Sequence, residues 1–197
     1  MIEWLESVDR QIVLAINGWN SPFFDELMWI VSGKTTWLPL YFILIGLGFW
    51  KLGWKRALLY VACVIMAVGC TDFICSGVIK EAIQRYRPSH HALLTDQLHF
   101  YSDGSGFVYK GGQYGFVSSH AGNFFALAFT SGWILRHYFK WVLPLMLGLA
   151  VIISYSRIYL GVHYLSDIIG GMIIGTAVSI AIYRLVYCKL VVKIKTT

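Results

Sequence analysis

The run from Ala57 to Ile79 reads ALLYVACVIMAVGCTDFICSGVI and holds one charged residue, Asp72. As a helix rising about 1.5 Å per residue, the run would be roughly 34 Å long, enough to cross the ~30 Å hydrocarbon core of a bilayer. It therefore predicts a membrane-spanning helix. Because a buried carboxylate is costly in lipid, we also expect Asp72 to have a partner inside the bundle.

Other apolar runs along the chain have the same character. They predict further spans at about Thr35 to Trp50, Ser119 to Leu135, Trp141 to Ser156 and Ser166 to Tyr187. The first of these is short and could begin earlier, within Phe23 to Ser32. Hydrophobic residues make up 57% of the chain and charged residues 13%, against roughly 25% charged in soluble domains. We expect an all-α polytopic transmembrane helical bundle of about five spans, formed as one domain over residues 1–197.

The N-terminal segment alternates apolar and polar residues at helical spacing. Its apolar positions are Ile2, Leu5, Val8, Ile12 and Ile16, and Glu3, Glu6, Arg10 and Asn17 fall between them. This pattern predicts an amphipathic helix over residues 1–20, lying along the membrane surface. A helix packed on the bundle would show the same pattern. Its acidic residues argue against a cleaved export signal.

Basic residues are concentrated in alternate connections between the predicted spans. The proposed inner side collects Lys51, Lys55, Arg56, Arg136, Lys140, Arg184, Lys189, Lys193 and Lys195, without an Asp or Glu. By the positive-inside rule the C terminus is inside, and the N terminus and the 81–117 connection are outside. We interpret the net charge of +6 as a signal of orientation, with no role in nucleic-acid binding.

The outer loop, residues 81–117, is long for a compact bundle, and loops of this length are commonly functional. It could contact a sugar headgroup by stacking, although aromatic residues also anchor at membrane interfaces. Its ring-bearing residues are His90, His91, Phe100, Tyr101, Tyr109 and Tyr114. A flexible, unstructured surface excursion is the alternative.

Polar residues converge where the predicted spans meet the outer surface. They are Lys80 with Arg87, then Ser118, Ser119 and His120, then Arg157 with His163 and Asp167. Three cations at one face repel one another unless an anion lies between them, and a phosphoryl group fits that need. Ser118 or Ser119 can cap the following helix and leave free backbone N–H groups for the same anion. Each cation alone could instead anchor at lipid headgroups.

Two histidines complete a possible reaction centre. His163 and Asp167 are four residues apart, so on a helix Asp167 can hold the Nδ1 proton and leave Nε2 free to attack phosphorus. That pair alone could equally be a structural hydrogen bond. Because a histidine side chain ordinarily titrates near neutral pH, we expect His120 to act as general acid and base for the leaving group and for water.

These residues form three ordered motifs: Lys80-x6-Arg87-Pro88, Ser118-Ser119-His120 and Ser156-Arg157-x5-His163-x3-Asp167. The arrangement resembles the type 2 phosphatidic acid phosphatase (PAP2) family, in its membrane branch. The resemblance implies metal-independent lipid phosphate hydrolysis without a cofactor. It implies His163 as nucleophile, Asp167 as its orienting partner and His120 as general acid. Phosphate would be bound by Lys80, Arg87, Ser118, Ser119 and Arg157.

The middle motif departs from the family pattern, because Val117 and Ser119 stand where the family usually has Pro and Gly. Since Gly tolerates backbone angles that Ser does not, Ser119 could tilt the anion-binding turn. The sequence also contains Gly171 and Gly175 in a G-x-x-x-G spacing, which permits close helix packing within the bundle or between two copies.

The expected substrate is a lipid phosphate in the outer leaflet of a bacterial inner membrane, with the active site facing the periplasm. Lipid A and polyprenyl pyrophosphate are favoured, and phosphatidylglycerol phosphate and phosphatidic acid remain open. A non-hydrolytic lipid-phosphate transporter or flippase, or a catalytically silent lipid-binding protein, is the alternative. The sequence leaves the oligomeric state open.

Overall fold

The structure is a computed structural model and describes residues 2–194, so Lys195, expected on the inner side, lies outside the described residues. Within them we number seven helices: α1, Ile2–Asn17; α2, Pro22–Ser32; α3, Leu38–Leu52; α4, Trp54–Ile83; α5, Ser119–Leu135; α6, Val142–Tyr159; and α7, Leu165–Val191. Short 3₁₀ turns are the only other helical elements described there, and two π-helical segments, Phe73–Ile79 and Tyr183–Tyr187, lie within α4 and α7. The predicted all-helical fold is confirmed.

Four helical segments are long and apolar enough to cross a membrane: Thr35–Leu52, Trp54–Ile83, Val142–Tyr159 and Leu165–Val191. The fifth predicted span, α5, begins and ends where the sequence placed it but has only 17 residues. It is the central helix, packed against α4, α6 and α7, and most of its side chains are buried. Its apolar side chains therefore contact protein more than lipid.

The first span begins at Thr35, so the alternative of an earlier start within Phe23 to Ser32 is wrong. α2 is a separate helix that ends at Ser32, and Gly33 has extended backbone angles. The Thr36 hydroxyl donates a 2.6 Å hydrogen bond to the Ile30 carbonyl, and this bond fixes the break. The break leaves the C-terminal end of α2 beside α6.

α1 packs against α6 and α7 through one buried stripe, Asp9, Val13 and Asn17. Asn17, one of the polar positions of the amphipathic pattern, is buried. Its amide donates to the carbonyls of His99 and Tyr159, each at 2.7 Å. These bonds satisfy polar backbone groups that burial would otherwise leave unpaired.

α5 and α7 approach each other closely along Gly171 and Gly175. A Cβ atom at Gly171 would lie 2.3 Å from the Ser118 carbonyl oxygen, and one at Gly175 would lie 2.2 Å from that of Gly122. The glycine pair therefore packs two helices of the same bundle. It sets the N-terminal end of α5 beside that of α7.

The outer loop begins at Gln84 rather than at residue 81, because α4 continues to Ile83. The loop folds back on itself: Arg87 N–H donates to the Gln113 carbonyl at 3.0 Å, and Gly115 N–H donates to the Arg85 carbonyl at 2.8 Å. Arg87, Leu94 and other loop side chains are buried. This loop is an ordered cover on one end of the bundle, so the alternative of an unstructured excursion is wrong.

Alternating helix directions give the bundle two chemically different ends. The last residues of α4 and α6 and the first residues of α5 and α7 meet under the outer loop. The opposite end carries basic residues without an acid among the described residues: Lys51, Lys55, Arg136, Lys140, Arg184 and Lys189.

Candidate active site

His163 lies between α6 and α7 with its imidazole 1% exposed. Its Nδ1 is 3.2 Å from Asp167 Oδ2, and its Nε2 is 3.2 Å from Nη1 of Arg87. A guanidinium can only donate, so Nε2 accepts from Arg87 and the ring proton sits on Nδ1, facing Asp167. This tautomer leaves the reactive lone pair on Nε2.

The surroundings of His163 favour its neutral form. Burial, followed by the positive charges of Arg87, Arg157 and Lys80, holds the pKa of the His163 imidazole well below its usual range. A neutral imidazole has the lone pair that attack on phosphorus requires. The three predicted phosphate-binding cations thus act on the same imidazole.

Arg87 is held by the outer loop and by the connection between α6 and α7. Its Nε donates to the Tyr114 carbonyl at 2.9 Å, and Nη1 donates to the Val162 carbonyl at 3.2 Å. Burial and the nearby Arg157 lower the pKa of the guanidinium to about 10. Among the described residues it forms no ion pair with a carboxylate.

Arg157 is 2% exposed at the end of α6. It donates from Nη1 to the Ser32 hydroxyl, at the end of α2, and from Nη2 to the Tyr109 hydroxyl at 2.8 Å. Its buried Nε has no hydrogen-bond partner among the described residues. Two buried guanidiniums without a carboxylate partner make a site that an anion would stabilise.

The start of α5 supplies a helix N-terminus to the same region. Ser118 is the N-cap, its hydroxyl accepts from Ala121 N–H at 3.4 Å, and its own N–H donates to the Asp167 carbonyl at 2.9 Å. Ser119 is the first helical residue. Outside glycine, Gln84 has the only positive φ among the described residues. Ser119 therefore occupies ordinary helical backbone and needs no glycine there.

His120 points into a cavity of about 450 Å³ beside Arg157. Glu26, Trp29 and Lys34 from α2 and the turn after it line the cavity, together with Tyr109. No hydrogen bond joins His120 to another described side chain. Of the six ring-bearing loop residues singled out from the sequence, Tyr109 alone lines this cavity.

Lys80, near the end of α4, is half-buried. Its ammonium group is close enough to Arg87 and Asp167 for their charges to act on it. No hydrogen bond or ion pair is assigned to it within residues 2–194. The cation is placed to interact with an anion held between Arg87 and Arg157.

Two polar residues that the motifs did not identify complete the site. Arg85 donates to Asp167 Oδ1 at 3.1 Å and to Asp9 Oδ2 at 2.9 Å. Arg85 lies inside the variable spacer of the first motif, and Asp9 lies 158 positions from Asp167 in the chain, so the motif spacings indicate neither residue. Trp29 on α2 was also missed.

The described residues contain no cluster of three His, Cys, Asp or Glu side chains that could hold a metal ion.

Comparison with known proteins links the geometry to one family. A family model described as the PAP2 superfamily matches residues 35–189. The lipid A 4'-phosphatase of Porphyromonas gingivalis is 33% identical over 184 residues, which are 93% of this chain and 75% of that protein. The lipid A 4'-phosphatase of Bacteroides thetaiotaomicron is 34% identical over 175 residues, 89% of this chain and 75% of the relative.

A solved structure has the same fold. The crystal structure of the transmembrane PAP2 type phosphatidylglycerolphosphate phosphatase from Bacillus subtilis matches with a TM-score of 0.68 and 24% identity. The match covers 96% of this chain and 87% of that one. At this identity the likeness concerns the fold, and it extends over nearly all of the helices described above.

Proposed function

Because this chain belongs to the PAP2 superfamily and is an integral membrane lipid phosphatase, we propose that it removes phosphate from a lipid A-type glycolipid through a phosphohistidine on His163. The relatives are phosphatases, so a transporter or a silent lipid-binding protein is not favoured. The cavity of about 450 Å³ beside His120 and Arg157 is the observation that supports a glycolipid substrate.

In the proposed first step, the Nε2 lone pair of His163 attacks phosphorus and the bond from phosphorus to the lipid oxygen breaks. His120, protonated once the bound phosphoryl group offsets the positive charges of Arg157 and Arg87, gives its proton to that oxygen. Arg87, Arg157 and Lys80 stabilise the charge on the equatorial phosphoryl oxygens. Asp167 accepts a hydrogen bond from Nδ1 throughout, so the imidazole keeps its orientation as it becomes positive.

In the second step, water attacks the phosphohistidine and His120 takes the water proton. The bond from phosphorus to Nε2 breaks, inorganic phosphate leaves, and His163 is neutral again. Burial of His163 and the cations around it favour this return, because both disfavour a positively charged imidazole.

The lining of the cavity supports a sugar headgroup. The ring of Trp29 lies 4.8 Å from that of Tyr109 and stacks on Tyr101 at 4.6 Å, so its position is fixed. A sugar ring can stack its C–H face on such rings and donate hydroxyl protons to Glu26. Polyprenyl pyrophosphate has no ring in its headgroup with which to fill this space. The volume also falls within the usual range for small-molecule sites.

We also propose that the active site faces the periplasm from the bacterial inner membrane. The acid-free basic end of the bundle lies opposite the site, as the positive-inside rule requires for this orientation. Lipid presented at the outer leaflet would then reach His120 and Arg157 directly.

A phosphate-release assay in detergent tests the substrate. The panel compares lipid A phosphorylated at the 4' position, lipid A phosphorylated at the 1 position, phosphatidylglycerol phosphate and polyprenyl pyrophosphate. We expect the first to have the highest kcat/KM. Trp29→Leu should lower this value by roughly 5-fold through lost stacking, with little effect on the lipid phosphates that lack a sugar.

Trp19→Leu is the matched control, because Trp19 is 80% exposed and lies outside the cavity. Faster release from either non-sugar lipid, or an equal loss on all substrates in Trp29→Leu, would exclude the glycolipid assignment.

Sealed right-side-out vesicles should hydrolyse an added short-chain substrate without permeabilisation. Activity seen only in inverted vesicles would reverse the proposed orientation.

A further inference from the structure

The two oxygens of the Asp167 carboxylate have separate partners. Oδ2 accepts from Nδ1 of His163 at 3.2 Å and from the Tyr164 N–H at 3.0 Å. Oδ1 accepts from Nη1 of Arg85 at 3.1 Å. With both oxygens engaged, rotation of the carboxylate away from His163 would break bonds on both sides.

Arg85 is itself fixed by three other contacts. Its Nη1 donates to the Ser166 hydroxyl at 2.7 Å, its Nη2 donates to Asp9 Oδ2 at 2.9 Å, and its guanidinium lies 4.1 Å from the centre of the Tyr164 ring. The planar fork of arginine suits this task, since it can hold two carboxylates in fixed directions. A lysine could hold only a point charge there.

Asp9 brings α1 into the same network. Its Oδ1 accepts from the Ser166 N–H at 3.0 Å, its Oδ2 accepts from the Ser166 hydroxyl, and the residue is 5% exposed. The N-terminal helix therefore reaches the first turn of α7, directly before Asp167. A buried carboxylate at this position needs a cation, and Arg85 supplies it.

The positive charge of Arg85 is shared between the carboxylates of Asp9 and Asp167. Asp9 and Asp167 are acceptors for one guanidinium, so Asp9 takes part of the positive charge that would otherwise fall on Asp167 alone. A carboxylate that is less neutralised is the better acceptor for Nδ1–H, and it stabilises the cationic imidazole that forms on attack.

We propose that Asp9 and Arg85 are positioning residues for catalysis, which orient Asp167 toward His163 and make α1 part of the active site. This inference rests on the proposed phosphohistidine mechanism. Neither residue is expected to touch the substrate, so their effect should appear in the chemical step.

The experiment compares Asp9→Asn and Glu6→Gln in the full chain. Both replace an acid on α1 by its amide. Within residues 2–194, Glu6 pairs only with Arg10, at the helix surface, and its side chain is 46% exposed. We expect Asp9→Asn to lower kcat by about 10-fold with KM nearly unchanged. Glu6→Gln should behave as the unmodified enzyme.

Arg85 variants keep the test informative if one protein fails to fold. Arg85→Lys retains a charge but loses the fork, so it should have an intermediate kcat, above that of Arg85→Gln. Thermal melting of each variant separates a loss of folded protein from a loss of turnover. Single-turnover labelling should show that formation of the phosphoenzyme is slowed.

The pH profile gives a readout that a merely structural role would not move. The acid limb of kcat/KM reports protonation of the nucleophile in the free enzyme. Asp9→Asn removes a negative charge, which lowers the pKa of His163 and moves the limb to lower pH. Arg85→Gln removes a positive charge and moves it to higher pH. The other charged or titratable groups facing His163 are Asp167, Arg87, Arg157, Lys80 and His120.

Two failures are distinguishable. If the unmodified enzyme formed no phosphoenzyme on His163, the proposed mechanism would fail first. If that phosphoenzyme formed but Asp9→Asn matched Glu6→Gln in kcat and pH profile, the positioning inference alone would be overturned. A change in KM without a change in kcat would also contradict it, because it would place Asp9 in substrate binding.

Discussion

At the residue scale, the protonation of His163 is controlled by groups on four separate elements. The cations of α4, the outer loop and α6 oppose a positive imidazole, whereas the carboxylate on α7 favours one. A bound phosphoryl group would offset the cations and let the imidazole become positive during attack. In the proposed mechanism the site therefore binds an anion first, and attack on phosphorus follows.

Asp167→Asn and Arg157→Lys should fail in different ways. Asn has no negative charge with which to accept the hydrogen bond from Nδ1–H, so the imidazole of His163 loses its tautomer and its orientation. The value of kcat should therefore fall by about 10³- to 10⁴-fold. Arg157→Lys keeps the charge but loses the fork on the phosphoryl oxygens, so KM should rise by roughly 10-fold. Steady-state kinetics on a soluble phosphate ester measures both. Equal kcat values in the two variants would contradict the separate roles.

The motif spacings predicted most residues that meet at this site, but they did not predict Arg85 or Trp29. His163 and Asp167 are four residues apart, so helical geometry alone brings them together. Arg85 and Trp29 gain their roles from contacts with α1 and with the loop at Tyr101 and Tyr109. Such contacts depend on how elements remote in the chain pack together. They cannot be predicted from the spacing of residues in one sequence.

At the element scale, the close contact between α5 and α7 places the N-terminus of α5 at the proposed phosphate site. A Cβ at Gly171 would overlap the Ser118 carbonyl oxygen, so the two helix starts can approach this closely only with glycine at that position. Asn123 also ties α5 to α4, by donating to Asp72 Oδ1 at 2.9 Å. Asp72 therefore has an interhelical partner as expected, but the hydrogen bond lies at the exposed surface of the helices and not inside the bundle.

Gly171→Ala should push the start of α5 away from α7. The overlap with the Ser118 backbone should destabilise the protein by about 1–3 kcal/mol and reduce turnover as well, since Ser118 caps the helix at the site. Gly148→Ala on α6 is the matched control, because a Cβ there meets nothing within 4 Å. Thermal unfolding and phosphate release measure the two effects. Similar melting temperatures for both variants would show that the contact does not limit packing.

Apolar runs located the spans well, because length and hydrophobicity suffice for that purpose. Length and hydrophobicity did not predict that α2 and α3 are separate helices. Both segments are apolar, and the break depends on Gly33 and on the bond from Thr36 to Ile30. Likewise, the burial of Asn17 follows from backbone groups of His99 and Tyr159, which become its neighbours only in the folded bundle.

At the scale of the whole molecule, the bundle separates two functions between its ends. One end gathers the proposed catalytic groups under an ordered loop, and the other carries basic residues that suit the proposed cytoplasmic side. The cavity beside His120 lies at the catalytic end, next to α2 and the loop. A lipid could therefore keep its tails in the bilayer while its headgroup enters the protein.

The most direct test of this account is the site of covalent phosphorylation in His120→Ala. With an aryl phosphate the leaving group needs little protonation, so attack should proceed while hydrolysis of the intermediate is impaired. Rapid quenching, digestion at neutral or alkaline pH and mass spectrometry should place an acid-labile phosphate on His163, within the tryptic peptide 158–184. His163→Ala should carry no phosphate and have no turnover. Substantial turnover in His163→Ala, or phosphate on another residue, would contradict the account.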